Sequence, residues 1–330
     1  MSGVPTAIYE VAGQRVGGRV IEEEGHRDLQ LIPSEPHSSR KSPFIDVFRD
    51  WIRNWFKDSP PTLANYRMHF RPRADMGLDV EATRLAVYVY AFVGNLREIL
   101  VRHDIHDLTR VGLLSLRPRL TPSAVVVNTL ALVASRNARR RTNATCWFLP
   151  STFAAGILRG IVWDDVHHIY QRFWMPEKTA LEHVFVPIWD VDEAWYMMIL
   201  NVRKPRVYSL DVHRTVDNMA RKEKQMKVVL RAFSLMFATP THILNFIDRS
   251  PDTSGWGRIL QALGIPEDRT SVETAIWACS WLSHSGGFSR NIFGPMGDED
   301  TLRMRLASSI VGAQCNELRP AVGEASQTTW

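Results

Sequence analysis

Between residues 183 and 211 the apolar side chains fall into three short runs, HVFVPI (183–188), WYMMILNV (195–202) and RVYSL (206–210), separated by turn-forming residues. Runs of this length, rich in β-branched and aromatic residues, predict a three-stranded meander, with Asp211 closing the third strand. Elsewhere the apolar period is helical. Phe44, Phe48, Trp51, Ile52 and Trp55 predict an amphipathic helix over 44–57, stopped by SPPT at 59–62. Ala86, Tyr90, Val93 and Leu96 predict a helix over 81–103. Thr121-Pro122 reads as an N-cap followed by proline at the first helical position, opening a helix to about Ser135. Further stripes predict helices over 220–237 (Met226, Val229, Leu230, Phe233) and 302–318 (Leu302, Leu306, Ile310, Val311). Another helix, over 275–285, stops at Gly286-Gly287.

Residues 1–43 are polar, with scattered Gly, Pro and Ser, and read as a disordered leader. A helical region, 44–143, follows; a third segment runs from 144 to 318 and a flexible tail from 319 to 330. The run RNARRRTN at 136–143 suits phosphate contacts or an import signal, or simply a solvated interdomain loop. The chain has 330 residues, 45% hydrophobic and 23% charged, which is ordinary for a globular protein. Its net charge of +5 permits, but does not demand, an acidic partner. Three widely spaced cysteines, Cys146, Cys279 and Cys315, suit neither a disulfide framework nor a zinc site. No cofactor and no metal are expected. The start lacks a basic stretch followed by an apolar one, and the apolar runs at 85–93 and 124–127 are too short to span a bilayer. The expectation is an intracellular protein, nuclear or cytoplasmic, without membrane association.

The order of six segments resembles the ubiquitin-like-protein (SUMO-type) cysteine protease family: FLPSTF, HVFVPI, AWYMMIL, RVYSLD, GIP with ETAIW, and LRMRLASSIV with a later Asn. In that family an apolar strand ends in Pro-Ile, a His-Trp pair opens the next strand, and an Asp ends the third. The nucleophile segment runs Val-Pro-x-Gln-x-Asn-x-x-Asp-Cys-Gly-Val-Trp/Phe. The resemblance implies an α+β, papain-like fold: a central, mostly antiparallel sheet flanked by helices, with a strand and then a helix from Pro150/Ser151 to Arg159 at its entry. The implied activity is cysteine-type proteolysis of SUMO conjugates. The implied partner is a ubiquitin-like modifier or a conjugated protein. Many plant members lie in transposon-derived frames with degenerate sites, and the resemblance extends to such a copy.

The chain departs from the pattern at the residues that carry the chemistry. Trp195 stands in place, but the preceding histidine position holds Ala194. Residues 265–277 align without a gap. The nucleophile position is Thr274, the oxyanion-donor position Asp268, and the acid before the nucleophile Glu273. Of the working set only Asp211 remains. An internal threonine needs a base to become a nucleophile, and Ala194 supplies none. Losing nucleophile or base costs roughly 10⁴–10⁶ in rate. A carboxylate at 268 would repel a developing oxyanion by about 4 kcal/mol at 4 Å and an effective dielectric near 20.

Thr274 reads instead as the N-cap of the 275–285 helix. Trp195, Glu273 and Trp277 are candidates for a substrate groove, the two tryptophans also for the core, and Asp211 for a turn cap. Stand-ins considered for the missing base or thiol are His183, His213, His284 and Cys279. His167-His168 beside Asp164 and Asp165 is a weak metal signal, because adjacent side chains diverge on a helix. Two alternatives stand beside the inactive protease: an active cysteine peptidase using Cys279 or Cys146, and a basic nucleic-acid binder using 136–143 and the Lys/Arg-rich run 203–227.

Overall fold

A computed structural model describes residues 9–11 and 14–16, and then 70–329 with breaks at 92–93, 104–106, 142–143, 161–169, 171–178, 191–192, 205, 239–258, 263 and 284–296. The helix expected at 44–57, the His167-His168 pair, His284 and Gly286-Gly287 lie outside the described residues. The chain divides into two units, 1–42 and 43–330. In the first, β1 (Tyr9–Val11) pairs antiparallel with β2 (Gln14–Val16), where a leader without structure was expected.

The second unit is built on a five-stranded sheet. Its strands are β5 (Ala144–Phe148), β6 (Thr179–Trp189), β7 (Trp195–Asn201), β8 (Arg206–Leu210) and β9 (Ile259–Gln261), side by side in chain order. The β6–β7–β8 meander is antiparallel and coincides with the three apolar runs. Both outer strands join it parallel. β7 is buried at every residue, so it reads as a continuous apolar run rather than an alternation. The α+β class expected from the resemblance is the class observed.

Helices frame the sheet: α1 (Val80–Val89), α2 (Arg110–Leu114), α3 (Ala124–Arg139), α4 (Ser151–Leu158), α5 (Val216–Ala238), α6 (Ser271–Ser283), α7 (Glu299–Val311) and α8 (Arg319–Thr329). The helix expected over 81–103 stops at Tyr90, and residues 99–102 form β3 (Ile99–Arg102), paired with β4 (Asp107–Thr109). Gly94 marks the break. A Cβ there would lie 2.6 Å from Nε of Arg110, a guanidinium packed into the turn. The cap of α3 is Ser123, whose hydroxyl accepts from the Val126 amide at 3.4 Å, rather than Thr121. The expected flexible tail is the helix α8, packed against α1.

One core cluster runs from Phe70 to Val322. It draws the helical N-terminal segment and the sheet into one body, with no boundary at residue 144. α3 packs on β5 and α6, and Ser135 donates to the Phe148 carbonyl at 2.6 Å. Among the described residues no helix is long and apolar enough to cross a membrane.

Candidate functional site

The hairpin between β6 and β7 sets the geometry. Trp189 pairs with Trp195, and their rings stack at 6.4 Å. The Asp190 amide donates to the Ala194 carbonyl at 2.9 Å, and Glu193 takes a left-handed φ of 57° to close the turn. Ala194 is therefore delivered, fully buried, to the start of β7.

Helix α6 meets it there. The helix begins one residue after Thr270, whose amide and hydroxyl both bond the Glu273 carboxylate at 2.9 Å, one half of a capping box. Thr270 is thus the N-cap, and Thr274 sits inside the first turn. Its buried hydroxyl donates to the Ser271 carbonyl at 2.5 Å and accepts from the Trp195 amide at 2.8 Å. The sequence-distant positions 194–195 and 274 are joined by a hydrogen bond. The proton and one lone pair of this hydroxyl are committed to backbone groups. Thr274→Val should leave the Trp195 N–H buried without an acceptor, at a cost of about 1–3 kcal/mol. Thr274→Ser should stay near wild type, and urea unfolding midpoints of the two variants will separate them.

Glu273 is tied up in the cap, which holds its carboxyl below the usual range, the Thr270 amide being the main cause. Asp268 is exposed and pairs in a two-residue bridge with His213. Trp277 is buried and packs on Trp281 at 5.9 Å, a core position rather than a groove wall.

Asp211 follows the last residue of β8 and is buried. One carboxylate oxygen accepts from the His213 amide at 3.0 Å, a turn cap, and the other from Lys222 Nζ at 2.8 Å. The His213 ring does not face that carboxylate; Nδ1 meets the Arg269 carbonyl at 2.7 Å. A cleft of about 330 Å³, its mouth included, opens beside the pair and takes in Asp211 and Lys222 but neither Trp195 nor Thr274.

Sequence reasoning missed the polar layer that α5 lays over this region. Lys222 Nζ also donates to the His213 carbonyl at 2.8 Å and lies 5.4 Å from the Tyr196 ring centroid. Asp190 is held by Arg221 at 2.7 Å and Gln225 at 3.0 Å, and Gln225 accepts from the Tyr196 hydroxyl at 2.7 Å. Burial, with Asp190 and Asp211 nearby, pushes the Tyr196 hydroxyl's pKa far up. A lysine four residues before Met226, on the apolar stripe of the 220–237 helix, was the available signal. Lys222 and Arg221, from the 203–227 run considered for nucleic acid, are committed to these carboxylates.

Of the remaining thiols, Cys279 is fully buried and its pKa is raised to about 12 by burial. Cys146 is the register partner of His183 on β6, and His183 that of Asn201 on β7. The Asn201 amide nitrogen lies 3.0 Å from Nε2 of His183, whose pKa burial lowers. Among the described residues no cluster of three His, Cys, Asp or Glu side chains forms a metal site.

A mixed sheet whose central hairpin abuts the first turn of a helix, with a carboxylate at the end of the next strand, makes an α+β fold of papain-like plan. Solved structures place the fold more closely. The SUMO protease Ulp1, with its catalytic cysteine oxidized to a sulfenic acid, matches with a TM-score of 0.52 over 76% of this chain and 100% of that one, at 14% identity. The C-terminal Ulp1 protease domain in complex with Smt3, the yeast ortholog of SUMO, matches with a TM-score of 0.50 over 72% and 97%, again at 14% identity. No protein-family model and no curated protein sequence matches the chain.

Proposed function

We propose that this chain is a catalytically inactive member of the ubiquitin-like protease family that retains the scaffold as a surface for binding a SUMO-type modifier or a protein conjugated to it. The observation that carries this reading is the bond from the Trp195 amide to the Thr274 hydroxyl. At the meeting point of hairpin and helix the Thr274 hydroxyl is spent on structure, and the adjoining Ala194 has no basic atom. A threonine of this kind has no route to an alkoxide. The charge at Asp268 opposes an oxyanion, where a neutral donor would stabilise one.

The binding half of the proposal rests on the match to a Ulp1 domain in complex with Smt3 and on Trp189. That indole is 43% exposed at the hairpin end, backed by buried Trp195. Exposed aromatics beside a rigid backing are favoured anchors for protein partners.

The test is incubation of the full chain with a SUMO-type modifier bearing a C-terminal electrophile. The expected result is no covalent adduct, together with reversible binding of the unmodified modifier that weakens in Trp189→Ala. An adduct on Thr274 or on any cysteine overturns inactivity; absence of reversible binding overturns the binding role.

A second reading is favoured by the in-register row Cys146, His183 and Asn201. Register partners point to one face of a sheet, and thiol, imidazole and amide are the groups of a Cys-His-Asn peptidase. An adduct confined to Cys146 and lost in His183→Ala would establish it.

A further inference from the structure

We infer that Lys222 is a positioning residue that withholds Asp211 from position 194, a fourth departure from a working site and one that lies outside the motif segments. The inference rests on the reading that 194, 211 and 274 are the site positions.

The argument begins with the register of the sheet. The β7–β8 ladder ends at Met197 opposite Leu210, so Tyr196 and Asp211 are the next residues along their strands. Ala194 is two residues before Tyr196, on the same side of the strand by the period of two. Diagonal neighbours in such a ladder are roughly 7–8 Å apart, within reach of a long side chain. A histidine at 194 would therefore look to the Asp211 carboxylate for its orienting bond. Each oxygen of that carboxylate already holds a donor. Oδ1 is bonded to the His213 amide and Oδ2 to Lys222 Nζ at 2.8 Å, with both side chains only 3% exposed. The ammonium is itself fixed from a second direction by the His213 carbonyl and lies near the face of Tyr196. A charge-assisted bond of this length in a dry setting is not displaced by a neutral imidazole. An imidazolium would in addition face the lysine's positive charge. Restoring the motif residues alone thus leaves the base without its orienting partner.

The experiment introduces Ala194→His into the full chain, alone and with Lys222→Met, and observes the new imidazole by ¹H–¹⁵N NMR against the wild-type spectrum. The expected result is a hydrogen-bonded imidazole N–H signal in the Lys222→Met background only. It should be accompanied by a rise of about one unit in that imidazole's pKa, tenfold in proton affinity. Adding Asp211→Asn should abolish the signal. The other charges around the position are Asp190 and Glu193 on the hairpin, Arg221 on α5, and Asp268, Arg269 and Glu273 before and within α6. All are present in every variant and cancel from the comparison.

A bonded N–H with Lys222 in place, lost on Asp211→Asn, would overturn the inference while leaving the site reading intact. No such signal in any background would mean that 194 and 211 do not adjoin, and the site reading would fail with the inference. Lys222→Gln, which keeps a neutral polar end, serves the same comparison if Lys222→Met does not fold.

Discussion

Lys222→Met is expected to destabilise the fold by about 3–5 kcal/mol, the range for removing one partner of a buried ion pair. The ammonium and the Asp211 carboxylate are each 3% exposed and 2.8 Å apart. With the lysine gone, the carboxylate keeps, among the described residues, the His213 amide as its donor and remains a charge in a dry setting. The loss comes from that orphaned charge rather than from the attraction itself. Lys222→Met/Asp211→Asn should therefore recover most of it, because a neutral amide can still accept from His213. Unfolding free energies from urea titration of the two single variants and the double variant give the coupling directly. A single-variant loss below about 1 kcal/mol, the size of a surface pair, would contradict the burial on which the argument depends.

Asn316→Leu is expected to cost about 3–6 kcal/mol. This side chain is 3% exposed, and both of its ends are in use. Its amide nitrogen donates to the carbonyls of Leu100 at 3.0 Å and Val311 at 2.8 Å, and its oxygen accepts from the amides of Arg102 and Leu318 at 3.0 Å each. Four backbone groups from β3, the end of α7 and the approach to α8 converge on one residue. Leucine satisfies none of them, and each buried group left unpaired costs about 1–3 kcal/mol, part of which local rearrangement and water recover. Asn316→Asp keeps the acceptor but turns a carboxylate oxygen toward the Leu100 and Val311 carbonyls, so near neutral pH it should be no more stable than leucine. Differential scanning calorimetry will order the three. Equal melting temperatures for leucine and wild type would mean that the convergence does not hold these elements together.

The meander was legible because three apolar runs of strand length, divided by turn residues, have few other solutions. The helices α5 and α7 were legible from the 3.6 period. Residues Ile99–Arg102 were not, because four apolar-rich residues at the end of a helical stripe satisfy either period. The determinant was Gly94, whose missing Cβ makes room for Arg110 from another element.

At the site, the alignment of 265–277 put Thr274 on α6, and the fold brings it to Trp195. The alignment could not reveal which end of the helix turn Thr274 occupies. Thr270 has an equally good side chain for the N-cap, and only Glu273 reaching back decides between them. The ion pair of Asp211 was hidden for a different reason. Its partner lies 11 residues away on a helix, and a lysine among Lys, Arg and Glu neighbours carries no mark of burial except its phase relative to Met226 and Val229.

The arrangement of α1, β3, α7 and α8 bears on how the molecule is made. α1 is packed by α7 and α8, and β3 is tied to Asn316, more than 200 residues further along. A nascent chain leaving the ribosome can pair its meander early, since β6, β7 and β8 are neighbours in sequence. Helix α1 and strand β3 must wait, apolar side uncovered, until residues 299–329 have been translated. Premature termination after residue 261 but before residue 299 would release a species with a formed sheet and an open flank, a natural client for chaperones.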